Sequence, residues 1–354
     1  VTAPVPGVLA PVPGILAAAS ALPGDPVDNA ALAARFGLDA AWIETFVGTR
    51  TRYFAADLAT GERTHTLADL CAEAARRALD GAGTGAADID FVVLATATPD
   101  RLMPATVNIV AERLGVDRVP TYQLQSGCAG AVQAFDVARM LLKEPSHRTG
   151  LVLGGDVCVK HLPLHRDVRG LPPRELVNLM VFADGAGAAV LTSARAAGRL
   201  AVPKVLNQLT GLGRRPGQTI EWYGAADLDG ADRDGPPVPA SEDYKAIESE
   251  VPDLAVELMW DLLSELGWAA EDVGHLLPPQ LSGRMTGAIT ARLRDDVKAA
   301  REISCVARTG NNGNALPFLQ LERLLEEIAQ GGRALCLTVE SSKWIKGGLA
   351  LERE

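Results

Sequence analysis

The stretch L-Q-S-G-C-A-G-A-V-Q-A-F-D-V-A-R-M-L-L, residues 124–142, sets Cys128 between Gly127 and Gly130 where an apolar strand gives way to an amphipathic helix. A thiol at a helix N-terminus meets unpaired backbone N–H groups and the positive end of the helix dipole, a setting that favours thiolate over thiol. An arbitrary cysteine is more often a small buried hydrophobe. The glycine-flanked corner reverses that expectation and predicts a nucleophile.

Outward from this corner the chain repeats itself. In the first half a helical run, residues 67–80, leads into A-A-D-I-D-F-V-V-L-A-T-A-T-P, residues 86–99. In the second, residues 256–268 lead into A-E-D-V-G-H-L-L-P-P-Q, residues 270–280. The strand and helix around Cys128 pair with T-G-N-N-G-N-A-L-P-F-L-Q-L-E-R-L-L, residues 309–325, and L-V-L-G-G-D at 151–156 pairs with L-C-L-T-V-E at 335–340. Asp88 stands opposite Asp272 and Leu151 opposite Leu335, the same offset of 184 residues at both ends. Short apolar β-rich runs alternating with amphipathic helices predict an α/β fold of two pseudo-symmetric halves with largely parallel sheet, residues 1–195 and 196–354. Pseudo-symmetry also places Asn311 and Asn312 at a helix start facing the same cleft as Cys128, where a side-chain amide can donate to an oxygen.

Composition narrows the function. The chain has 354 residues, 47% of them hydrophobic and 22% charged, which is globular. A net charge of −10 argues against nucleic acid or an anionic membrane surface as partner. The apolar run at 7–24 lacks a basic flank and is broken by Pro11 and Pro13, so neither a signal peptide nor a spanning helix is expected, and the cytoplasm is the expected compartment. Five scattered cysteines without a C-x-x-C pair predict neither a metal site nor a disulfide framework.

The ordered set A-W-I-E-T-F-V-G-T-R-T-R (41–52), S-G-C-A-G (126–130), V-F-A-D-G-A-G-A-A-V-L (181–191), L-L-P-P-Q (276–280), G-N-N-G-N-A (310–315) and W-I-K-G-G-L-A-L (344–351) resembles the thiolase-fold condensing enzymes, and within them the ketoacyl-ACP synthase III group. The resemblance implies a thiolase-like fold in a layered αβαβα arrangement and a homodimer paired through the strand V-P-T-Y-Q-L-Q (119–125). It also implies an acyl group carried on Cys128, with a histidine and an asparagine supporting decarboxylation of a malonyl thioester. The family motif assigns the asparagine to Asn311, whereas the repeat offset favours Asn312.

Departures from the pattern are as informative. Pro279 stands where the family histidine would be, removing both a donor and a base. His161 or His165, in an irregular basic segment, could take over as base. Trp42 is retained from the family's adenine clamp, but Phe46 replaces its arginine and a second arginine falls on Leu176, which favours a donor carried on acyl carrier protein over coenzyme A. Two basic groups could dock that acidic carrier: His165, Arg166, Arg169 and Arg174, or Arg214 with Arg215. The family's C-terminal glycines align with Ser341, Ser342 and Lys343, so the expected oxyanion hole combines Cys128 N–H with an N–H near Lys343. Ala131 replaces a family phenylalanine and is expected to widen the substrate pocket.

These substitutions predict an acyltransferase that forms an acyl-Cys128 intermediate and passes a small acyl group, aromatic by resemblance alone, between carrier thiols in antibiotic biosynthesis, without decarboxylative condensation. No tightly bound cofactor is expected beyond the carrier's phosphopantetheine. The competing readings are an O-acyltransferase, a decarboxylating synthase with another base, and a noncatalytic partner subunit.

Overall fold

The computed structural model describes residues 12–162, 168, 173–194, 199–220 and 240–354. Its strands run along the chain as β1 (Gly14–Ala21), β2 (Val27–Asp28), β3 (Thr51–Arg52), β4 (Phe91–Thr96), β5 (Thr121–Gln125), β6 (Thr149–Asp156) and β7 (Gly185–Thr192). The second half supplies β8 (Leu200–Leu209), β9 (Gln218–Ile220), β10 (Ala240–Glu242), β11 (Val273–Leu277), β12 (Arg301–Glu302), β13 (Arg333–Glu340) and β14 (Ile345–Arg353). The helices are α1 (Asn29–Phe36), α2 (Ala40–Val47), α3 (Leu67–Ala82), α4 (Thr106–Leu114), α5 (Gly130–Leu141), α6 (Pro173–Val181), α7 (Tyr244–Leu266), α8 (Gly283–Arg294), α9 (Val306–Thr309) and α10 (Leu316–Glu327).

Ten strands join in the order β12-β11-β13-β14-β8-β1-β7-β6-β4-β5. Read outward from the β1–β8 contact, each half has the same pattern: β1-β7-β6-β4-β5 mirrors β8-β14-β13-β11-β12. In each, the inner pairs are antiparallel and the outer ones parallel. The sheet is therefore mixed, where the sequence suggested largely parallel pairing. Strand β14 returns from β13 through a tight turn, and such a return can only pair antiparallel.

Local chemistry explains the helices that cover this sheet. Thr66 caps α3 in a reciprocal box with Asp69, its apolar positions Leu67, Leu70, Cys71, Ala74 and Ala78 share one face, and Gly83 ends it at φ 61°. Its counterpart α7 is capped by Asp243, buries Val251, Leu254, Leu258 and Leu262, and ends at Gly267. Three apolar cores result. One lies under α3, one under α7, and one between the half-sheets around α5 and α10. There Phe135 stacks on Phe318 with ring centroids 5.5 Å apart. Helix, sheet, paired helices, sheet and helix give the layered αβαβα arrangement, and the central pair carries both glycine-rich corners inward.

Candidate active site

Strand β5 ends at Gln125 and α5 begins at Gly130, leaving Cys128 in the turn between them. That turn is held from the other half of the chain. Glu340, the last residue of β13 and only 4% exposed, accepts hydrogen bonds from Ser126 Oγ (2.9 Å), from Ala129 N–H (3.3 Å) and from the Ser342 hydroxyl. Asn314 Nδ2 donates to the Ser126 carbonyl at 3.0 Å. The bracing is reciprocal: Asp156, the last residue of β6, accepts from Asn314 N–H (2.8 Å) and Nδ2 (2.9 Å) as well as from Thr96, Ala97 and Thr98. Asp156 and Glu340 are equivalent under the 184-residue offset.

A narrow cleft opens beside the thiol, with Cys128, Pro279, Gln280, Gly313, Leu316 and Thr338 among its walls. Burial, then the carboxylates of Glu340, Asp156 and Glu242, push the Cys128 thiol up to about 12. The thiolate expected from the helix terminus is therefore overturned. A helix dipole contributes about 0.3–1 kcal/mol at an exposed terminus, too little to offset desolvation beside buried negative charge. Cys128 therefore rests as a thiol.

The two asparagines separate cleanly. Asn312 is fully buried and spends its Nδ2 on the Asp184 carbonyl at 2.7 Å, a structural bond. Asn311 accepts from Gly313 N–H through Oδ1 (3.1 Å), while its Nδ2 donates to no partner among the described residues. Several expected site residues lie elsewhere. Ala131 is 0% exposed within the central core and is absent from the cleft wall, so it does not widen the pocket. Lys343 is exposed and donates its Nζ to the Arg214 carbonyl at 2.7 Å. The β13–β14 turn beside it closes without glycine because Trp344 adopts φ 62°, held by Nε1 donating to the Arg215 carbonyl at 2.8 Å. Arg214 itself is paired with Glu250 at 2.8 Å.

Trp42 and Phe46, one turn apart on α2, stack on each other at 5.2 Å and 12°, and Phe46 continues toward Tyr244 at 6.5 Å. The side chain replacing the clamp arginine thus covers the indole. His161 is part-buried next to Lys160, and burial and that cation both hold its imidazole below its usual value. It is not among the residues of the cleft wall. His165, with Arg166 and Arg169, lies outside the described residues, and of the Arg174 side chain nothing is described.

Glu340, Asn314 and Gln280 were not singled out from the sequence, although the repeat offset sets Glu340 opposite Asp156 at the ends of equivalent strands.

Fold and cleft together are those of the thiolase-fold condensing class. The family model for 3-oxoacyl-[acyl-carrier-protein] synthase III matches residues 122–205. A solved structure described as AbyA1, a tetronic acid condensing enzyme, is 56% identical, covering 96% of this chain and 99% of that one with a TM-score of 0.91. The synthase III of Pseudomonas aeruginosa PAO1 superposes with a TM-score of 0.80 at 26% identity, over 96% of this chain and 98% of that one. Among curated relatives, the synthase III of Rhodospirillum rubrum is 39% identical over 180 residues, 51% of each chain, so the match spans about half of that relative. The chain is thus synthase III-like: a thiolase-fold protein similar to the 3-oxoacyl-[acyl-carrier-protein] synthase III family. No helix among the described residues is long and apolar enough to cross a membrane.

Proposed function

We propose that this protein is an acyl-transferring enzyme that loads an acyl group from a carrier-bound thioester onto Cys128 and passes it to a second carrier-bound acceptor without releasing carbon dioxide. The observation that carries this reading is the cleft itself: a cysteine at a braced turn with Pro279, which can neither donate nor accept a proton, on the facing wall. In the first step the Cys128 sulfur bonds to the thioester carbonyl carbon and the carbon–sulfur bond to the carrier breaks. The thiol's proton goes to the departing carrier thiolate, so the carrier leaves as a free thiol. In the second step the acceptor takes the acyl group, and its proton returns to Cys128.

Likeness to a tetronic acid condensing enzyme narrows the product class. A tetronic acid is a five-membered lactone carrying an enol. Its assembly from thioesters needs one carbon–carbon and one carbon–oxygen bond, each formed by acyl transfer with loss of a thiol. Neither requires decarboxylation when the attacking carbon lies between two carbonyls. Beside the carrier-thiol acceptor expected from the sequence, this reading adds a carrier-bound carbon acid, with the acyl-cysteine and the absence of decarboxylation kept.

Stacking of Phe46 on Trp42 also supports a carrier donor over coenzyme A, since the indole face is already occupied. The terminal strand β5, with Tyr122 40% exposed, is proposed to pair with β5 of a second copy. Intact-mass analysis after incubation with acyl carrier protein tests the central step. An acyl adduct on the wild type that is absent from Cys128→Ala is expected, with product forming from a β-ketoacyl carrier and no carbon dioxide from a malonyl carrier. An adduct that maps to Cys158, or release of carbon dioxide in step with product, would sink the reading.

A further inference from the structure

Gln280 follows Pro279 and is 6% exposed. Its Oε1 accepts three hydrogen bonds: from Cys305 N–H (2.7 Å), Val306 N–H (2.8 Å) and Ser304 Oγ (3.1 Å). Two backbone donors on one atom fix the amide's orientation, because a flipped amide would set N–H against N–H. The Nε2 group is left buried with no partner among the described residues, an arrangement that folded proteins seldom keep without a use. The segment that carries it is anchored as well, with Gln320 Nε2 donating to the Pro278 carbonyl at 3.1 Å and to the Ile303 carbonyl at 3.0 Å. Gln280 also forms part of the cleft wall that contains Cys128 and Pro279.

We infer that Gln280 Nε2 is the hydrogen-bond donor to the acceptor's carbonyl oxygen, taking the place of the ring missing at position 279. An amide donates without titrating and cannot remove a proton, so it stabilises an enolate-like oxygen while leaving proton transfer to other groups. Its N–H is oriented before the acceptor arrives, by a cap on α9 that also leads into Asn311. The inference rests on the acyl-Cys128 reading for its kinetic consequence only.

The test uses acetoacetyl-pantetheine carrying a carbon-13 thioester carbonyl, bound to the full chain with Cys128→Ala so that no transfer occurs. Its carbonyl stretch in infrared difference spectra is expected at lower frequency than when Gln280→Met is added. Absence of binding, or a stretch that the second substitution does not move, overturns the inference. Gln280→Glu supplies the kinetic arm, since its carboxylate still accepts from Cys305 and Val306 and so keeps the cap, yet offers no donor at neutral pH. Single-turnover transfer from acyl-Cys128 to acetoacetyl-pantetheine should fall about 100-fold or more beyond any change in the rate of Cys128 acylation. Equal loss in both half-reactions would point to a structural role and overturn it. If wild-type Cys128 is never acylated, the proposed function falls while the infrared comparison still decides the role of Gln280.

Discussion

Burial and neighbouring carboxylates push the Cys128 thiol up to about 12, and Glu340 is the side chain that makes this shift measurable. A nearby negative charge disfavours thiolate, so Glu340→Gln should move the midpoint of Cys128 alkylation by iodoacetamide to lower pH. An unmoved or raised midpoint would show that the Glu340 charge does not govern the thiol. The corner that holds Cys128 was legible from the sequence because its signal is local: two glycines, a strand and a helix within a few residues. Glu340 was not, since its meaning comes from bonds to Ser126 and Ala129 across more than 200 residues of chain. Gln280 was passed over for a related reason: whether an amide nitrogen is partnered is decided by the whole surrounding fold. The choice between Asn311 and Asn312 likewise had to wait for the Asp184 carbonyl that occupies one of them.

Among the elements, the strands of the central layer are thinned to glycine where the corners press on them. A Cβ on Gly154 of β6 would lie 2.5 Å from the Asn314 carbonyl oxygen and 2.5 Å from the Phe318 ring. Gly154→Ala must therefore displace the asparagine corner, and reduced acylation together with a lower melting temperature is expected. Phe318→Ala tests the central helix pair: losing a fully buried ring that stacks on Phe135 should cost about 3–5 kcal/mol in urea unfolding. A loss well under 1 kcal/mol would mean that the α5–α10 contact contributes little. At this scale the sequence was informative, because the repeated helix, strand and corner kept both their order and their spacing. It misjudged strand direction, since the turn at Ser341–Trp344 closes through a left-handed tryptophan and no glycine marks it.

For the whole molecule, burial holds thiols in their protonated form throughout the core. Cys305 is pushed up to about 11 and Cys128 and Cys336 to about 12, with Cys71 and Cys158 raised as well, against an ordinary value of 9.0. The folded chain therefore retains protons that the unfolded chain releases. Stability from these groups is fully present below pH 9.0 and declines as pH rises toward 11 to 12, each thiol adding a slope of up to about 1.4 kcal/mol per pH unit. Urea midpoints measured from pH 8 to 11 should fall steadily, and more shallowly in Cys336→Ala after allowance for the lost side chain. Light scattering at micromolar concentration addresses assembly, with a dimer expected and a lysine at Tyr122, on the exposed edge, expected to weaken it. The crossed carboxylates have one more implication, for the order of events during synthesis. Ser126 and Ala129 emerge long before Glu340, so a growing chain presents the cysteine corner without its brace until β13 has been made and the second half has closed over the first. On the proposed reading, competence to carry an acyl group arrives only with that closure, and thioester labelling would then report completed folding.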